Sequence, residues 1–190
     1  MAVFTLTDNQ DFLVVNSNEG DSVLGLGGDD FLVVNQGNDT VDGGAGHDFI
    51  FAGEGFDNIS GGPDHDIVYG GQQDDRLVGT DGNDILVGDN GLDTLFGDAH
   101  NDFMDGANGN DLIAGGSGND GARGGEGDDN MFGETGDDSF GGDAGRDSLD
   151  GGAGNDVLLG GTGEDRLIGG DGNDLMRGGQ DDDTLTGDAG

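Results

Sequence analysis

The sequence predicts an all-β solenoid of parallel strands, assembled from tandem nine-residue units with two units, or 18 residues, in each coil. Three observations predict it. An aspartate recurs every ninth residue from Asp21 to Asp183, nineteen times in one register; an apolar residue follows two positions after each; and glycines cluster at the start of the units. The unit reads Gly-Gly-x-Gly-x-Asp-x-apolar-x, intact at Gly43 to Phe51, Gly115 to Arg123, Gly151 to Leu159 and Gly169 to Arg177. A period of nine with one obligatory apolar residue does not fit a helical face, which repeats at 3.6.

Within a unit, glycines at positions 1, 2 and 4 allow the positive φ of a tight turn. The x-apolar-x tail is long enough for a three-residue strand. Neighbouring strand residues face opposite ways, so position 8 points inward and positions 7 and 9 outward. Position 8 runs from Val23 through Leu32, Val41 and Ile50 to Leu185, and only Ala122 in that column is small. With one strand on each side of the coil, units n and n+2 stack at about 4.8 Å, the spacing of adjacent strands.

Composition sets the limits. Across 190 residues there are 46 glycines and 31% hydrophobic residues, so the core must be thin and linear. Forty-two acidic residues against five basic give a net charge of −37, a self-repulsion that opposes compaction and calls for a bound cation. The same charge repels nucleic-acid phosphates, which argues against that class of partner. The chain has no cysteine, hence no disulfide framework. Its first residues, Met1 to Thr7, show neither a cleavable leader nor a membrane-spanning run, so membrane insertion is not expected and export would use another route.

Stacking brings the aspartates of units n and n+2 side by side with turn carbonyls, where like charges repel unless a cation lies between them. A hard divalent ion taking six to eight oxygens suits such a site, and calcium suits it better than magnesium, which resists dehydration. Nineteen units give seventeen stacked pairs, so up to about 17 calcium ions would bring +34 against −37. Aspartates that only solvate turns are the bland alternative.

The unit and its run of copies resemble the RTX (repeat-in-toxin) family of calcium-binding repeats over essentially the whole chain. The resemblance implies a right-handed parallel β-roll in which the position 6 aspartate bridges calcium ions above and below, backed by turn carbonyls. Residue by residue it nominates Asp30, Asp39, Asp48, Asp57, Asp66, Asp75, Asp84, Asp93, Asp102, Asp111, Asp120, Asp129, Asp138, Asp147, Asp156, Asp165, Asp174 and Asp183. Position 4 departs from glycine at Glu19, Asp64, Gln73, His100 and Asp181, and Val34, Asn35 and Gln36 replace another unit's glycines, which predicts weaker or empty sites there.

Residues 1–15 read as an N-terminal cap with an irregular first repeat, and 16–190 as the calcium-binding roll. Asp11-Phe-Leu-Val-Val-Asn and Asp30-Phe-Leu-Val-Val-Asn are the same hexapeptide nineteen residues apart, one more than a coil. At the other end the chain starts another unit at Gly187 with no capping helix and no secretion segment of the kind the family carries, so open strand edges are expected to favour head-to-tail stacking.

Outward positions sort unequally between the two sides of the coil. One side carries Phe12 and Val14, then Phe31, Val33, Phe49, Phe51, Ile67, Tyr69, Ile85, Val87 and Phe103. It is interrupted at Gly121, Arg123, Ser139 and Gly141, and resumes at Val157, Leu159 and Leu175. The opposite position 7 reads Ser22, Thr40, Asn58, Arg76 and Thr94. β-Propensity alone would make the sides alike; a one-sided stripe reads as an interface, with lateral self-association.

No His-Glu-x-x-His, Gly-x-Ser-x-Gly or P-loop is present, so no catalytic role is expected. His47 and His65 share position 5 two units apart and read as exposed turn residues rather than a transition-metal pair. The leading reading is an extracellular calcium-binding structural protein of the fibre, surface-layer or adhesin type. The alternative is a calcium-triggered folding and secretion module of a larger exoenzyme or toxin, against which Met1 is taken as a true start; an ice-binding face would need regular threonine rows.

Overall fold

The computed structural model describes residues 1–187. Strands β1 (Val3–Thr5), β2 (Phe12–Ser17), β3 (Ser22–Leu24), β4 (Phe31–Asn35) and β5 (Thr40–Asp42) open the chain. From β6 (Phe49–Glu54) to β20 (Leu175–Gln180) every strand has six residues, and β21 (Thr184–Thr186) closes the series. Odd-numbered strands form one sheet of eleven and even-numbered strands one of ten, each in strict sequence order. All pairings are parallel, and there is no helix among the described residues.

Register follows the repeat. Ile85 pairs with Phe103 and Thr94 with Leu112, one coil of 18 residues apart. In the first coil the offset is nineteen, with Val3 opposite Ser22 and Phe12 opposite Phe31. The extra residue is absorbed as an irregularity between Val14 and Ser17, where the Asn35 side-chain amide donates to the Val15 carbonyl at 2.7 Å and to Asn16 Oδ1 at 3.0 Å.

The regular strands are six residues long, not three, because positions 1 to 3 of the following unit continue the ladder. Position 2 turns to positive φ inside that ladder, at Gly53 (110°) and Gly71 (117°), and also at non-glycine Asp89 and Ala107 (both 72°). At position 4, Asp64 (82°), Gln73 (70°), His100 (79°) and Asp181 (78°) keep a left-handed backbone, so the turn survives loss of glycine at a cost of about 1–2 kcal/mol each.

Position 1 is glycine for a different reason. Its φ is not positive; a Cβ on Gly70 would lie 2.6 Å from Asp75 Oδ2 and 3.1 Å from the Gly88 carbonyl oxygen. The close approach of carboxylate to backbone, rather than the turn angle, favours the missing side chain in the regular units, while Val34 and Ala52 occupy this position in two early ones.

The core is the expected single column. Position 8 is buried from Val23 through Leu167, joined at the N-terminal end by Val34 and Ala52 from position 1 and by Val15 before the irregularity, with Phe4, Leu6, Leu13 and Met176 packed on it. Only the end of the column is open, where Leu185 is 45% exposed.

Candidate metal centre

Each position 6 aspartate closes a turn and points its side chain back into the stack, in the regular units beside the glycine of position 1. From Asp21 to Asp165 all seventeen are buried, while Asp174 and Asp183 are half-buried at the last rungs. Their geometry repeats down both edges. The backbone N–H of Asp84 donates to Asp102 Oδ1 at 2.8 Å, and that of Asp102 to Asp120 Oδ1 at 2.8 Å, so one oxygen of each carboxylate holds the coil before it.

The other oxygen has no partner. Oδ2 of sixteen aspartates, from Asp30 to Asp165, is buried without a hydrogen bond. A buried unpaired carboxylate is costly, and burial holds these carboxyls above their ordinary pKa. Burial first, with repulsion between stacked carboxylates added to it, pushes Asp66 and Asp75 up to about 8 against the opposing hydrogen bond from the preceding coil. Asp93, Asp102, Asp129 and Asp138 rise to about 7, and Asp48, Asp57, Asp111 and Asp147 to about 6. Asp21 is the opposite case: the Ser17 hydroxyl and the Ala2 N–H hold it below the ordinary value.

These residues fit a hard cation. An unpartnered oxygen beside a position that admits no Cβ is a cradle lined by carboxylate and backbone carbonyl, the oxygen donors calcium takes. The carboxylates come singly, one per rung on each edge; among the described residues no three His, Cys, Asp or Glu side chains converge. Main-chain carbonyls such as that of Gly88, which lies beside Asp75 at the Gly70 position, are further oxygen donors at hand. Val34 and Ala52 place side chains at position 1 in two early units, which narrows the cradles of Asp39 and Asp57.

Position 5 carries a function that the repeat motif hides. On the edge leading from odd to even strands its side chain accepts the N–H of position 5 one coil on: Asn83 Oδ1 from Asn101 at 3.0 Å, Asn101 Oδ1 from Asn119 at 2.7 Å, and Asp137 Oδ1 from Asn155 at 2.7 Å. His47 and His65 belong to this column. His47 Nδ1 accepts from His65 N–H at 3.1 Å and His65 Nδ1 from Asn83 N–H at 2.6 Å, with the rings stacked 5.2 Å apart. On the opposite edge Phe56 and Leu92 interrupt the column. Reading every eighteenth residue instead of every ninth would have exposed the difference.

The apolar stripe lies on the outer face of the ten-stranded sheet. Phe31, Val33, Phe49, Phe51, Ile67, Tyr69, Ile85, Val87 and Phe103 are all exposed or half-buried there. Phe12, Phe31 and Phe49 stack with centroids 5.1 Å apart and planes within 6°, and Tyr69 packs against Phe49 and Phe51 at 5.7 and 5.9 Å. The contrast between the sheets is weaker than position 7 suggested. Position 9 of the eleven-stranded sheet carries Val78, Phe96, Ala114 and Phe132, and its position 7 later turns to Leu112. Arg76 covers Phe96 at 5.2 Å from the ring centroid, and Phe132 is 40% exposed.

The described residues contain no helix long and apolar enough to cross a membrane. The family model of the RTX calcium-binding nonapeptide repeat, in four copies, matches residues 17–50, 24–59, 42–77, 78–113, 105–140, 123–158, 136–167 and 159–190, together spanning 17 to 190. The search of curated proteins finds no match.

Proposed function

From the premise that this chain belongs to the RTX calcium-binding nonapeptide repeat family, whose repeats bind calcium and are typical of secreted proteins, we propose an extracellular calcium-loaded structural protein that folds on calcium and self-associates. The observation that carries the reading is the row of sixteen buried, unpartnered Oδ2 atoms. Asp30 through Asp183 are the calcium ligands, each supplying the oxygen its neighbouring coil leaves free. The chain's own residues do the rest: N–H groups fix the carboxylate planes, position 1 leaves room, and the apolar column excludes water. Calcium supplies the positive charge that cancels repulsion along each edge.

The ligands of one site come from different coils, so no site exists in the unfolded chain and binding free energy becomes folding free energy. Half-saturation on the order of 0.1–1 mM, the range of extracellular modules, would leave the chain unfolded in a calcium-poor cytosol.

The partner of the ten-stranded sheet is a second copy of this chain. Between Phe12 and Phe103 the outward positions 7 and 9 of that sheet carry no charge, in a molecule of net charge −37. An identical stripe meets it along positions 7 and 9 without a charge, with Asp89 of position 2 at its margin, and a lateral contact of this kind is self-complementary. Sedimentation of the calcium-loaded chain at rising concentration tests it. Association that is lost in Phe49→Ser with Phe51→Ser, at unchanged calcium response, supports the reading; a wild-type monomer at high concentration returns the protein to the folding-module class.

A further inference from the structure

The first coil differs from all later ones at the atom that would face the cation. Asp21 Oδ1 accepts the Ala2 N–H at 2.6 Å, as the repeat requires, but its Oδ2 accepts the Ser17 hydroxyl at 2.5 Å. On the opposite edge Asp11 Oδ2 accepts both the Thr7 hydroxyl and the Thr7 N–H at 2.8 Å. Both donors stand four residues before their aspartate, at position 2. From Asp30 to Asp165 no such donor reaches Oδ2. Position 1 does not set this coil apart, since its Leu6 is matched by Val34 and Ala52 in the later units of Asp39 and Asp57; the hydroxyl donors do.

A hydroxyl proton and a metal ion compete for the same lone pairs, and a carboxylate whose oxygens already hold charge-assisted hydrogen bonds gains little from a cation. We propose that Asp11 and Asp21 hold no calcium, and that the first coil is a metal-free cap in which Thr7 and Ser17 hydroxyls take the oxygens that face the cation in every later coil. This rests on the calcium loading argued above and deepens it. Calcium sites begin at Asp30, and the two ends of the roll are chemically unlike.

The test compares calcium midpoints, followed by circular dichroism at pH 7.5, of the whole chain and two variants. Asp21→Asn keeps an acceptor for Ala2 and places an amide against the Ser17 hydroxyl, so its midpoint stays within about twofold of wild type. Asp84→Asn removes a ligand oxygen and weakens the affected sites about tenfold or more. An Asp21→Asn midpoint displaced as far as that of Asp84→Asn overturns the cap. Should Asp21→Asn fail to fold, anomalous scattering from crystals of the wild-type chain loaded with terbium decides directly: ions beside Asp30 and Asp84 but none beside Asp11 or Asp21 support the proposal, and an ion at either of those two refutes it. A wild-type chain indifferent to calcium would instead defeat the loading itself.

Discussion

At the scale of single residues, what matters is the register. Asp156 and Asp150 are six apart in sequence, yet Asp156 is buried on the inner edge and Asp150 lies half-buried on the outer face of the eleven-stranded sheet. Asp156→Ala therefore raises the calcium needed for folding and lowers cooperativity, whereas Asp150→Ala changes stability by no more than about 0.5 kcal/mol; parallel calcium titrations read both. Leu158→Asp is worse than either. It sets an unpaired charge in a core one residue wide, a loss beyond about 4 kcal/mol, measurable as absent β-signal at saturating calcium. The place of Asp156 in the stack between Asp138 and Asp174 was legible in sequence, since spacing alone gives it. The reason for glycine at position 1 was not, because only the folded stack shows Asp75 Oδ2 against Gly70.

At the scale of the strand and its turn, the sequence told where strands begin but not where they end. Val157 begins a strand as its repeat position requires, but Gly160 to Thr162, read from sequence as turn, continue it, with Gly161 and Thr162 opposite Gly179 and Gln180. Glycine has low strand propensity, so propensity hides what parallel stacking imposes. The position 5 column was hidden likewise, since Asn83 and Asn101 look like ordinary turn residues until stacked. Each such bond is worth about 0.5–1.5 kcal/mol. Asn101→Ala accordingly loses the acceptor for Asn119 N–H and speeds hydrogen exchange at that amide, while Leu92, on the opposite edge, offers no such bond and Leu92→Ala leaves the Asn110 amide unaffected.

At the scale of the whole molecule, the balance is between stacked carboxylates and whatever neutralises them. Burial raises Asp66 and Asp75 from an ordinary 3.8 to about 8. A carboxyl raised in the folded state favours folding fully below its unfolded value, and that advantage disappears as pH climbs through the folded one. In chelator the chain thus gains β-structure as pH falls from 8 toward 4. With calcium the dependence reverses, because the cation displaces protons: the calcium midpoint falls as pH rises from about 6 to 8. The composition announced this conflict through its net charge of −37, but only the buried Oδ2 row locates it. The measurement that tests the central claim most directly is far-ultraviolet circular dichroism of the whole chain at pH 8, first in excess chelator and then with calcium added at constant ionic strength. Calcium-driven folding predicts a coil spectrum that becomes β in one cooperative transition near millimolar calcium; a β spectrum already complete in chelator and unchanged by calcium would contradict it.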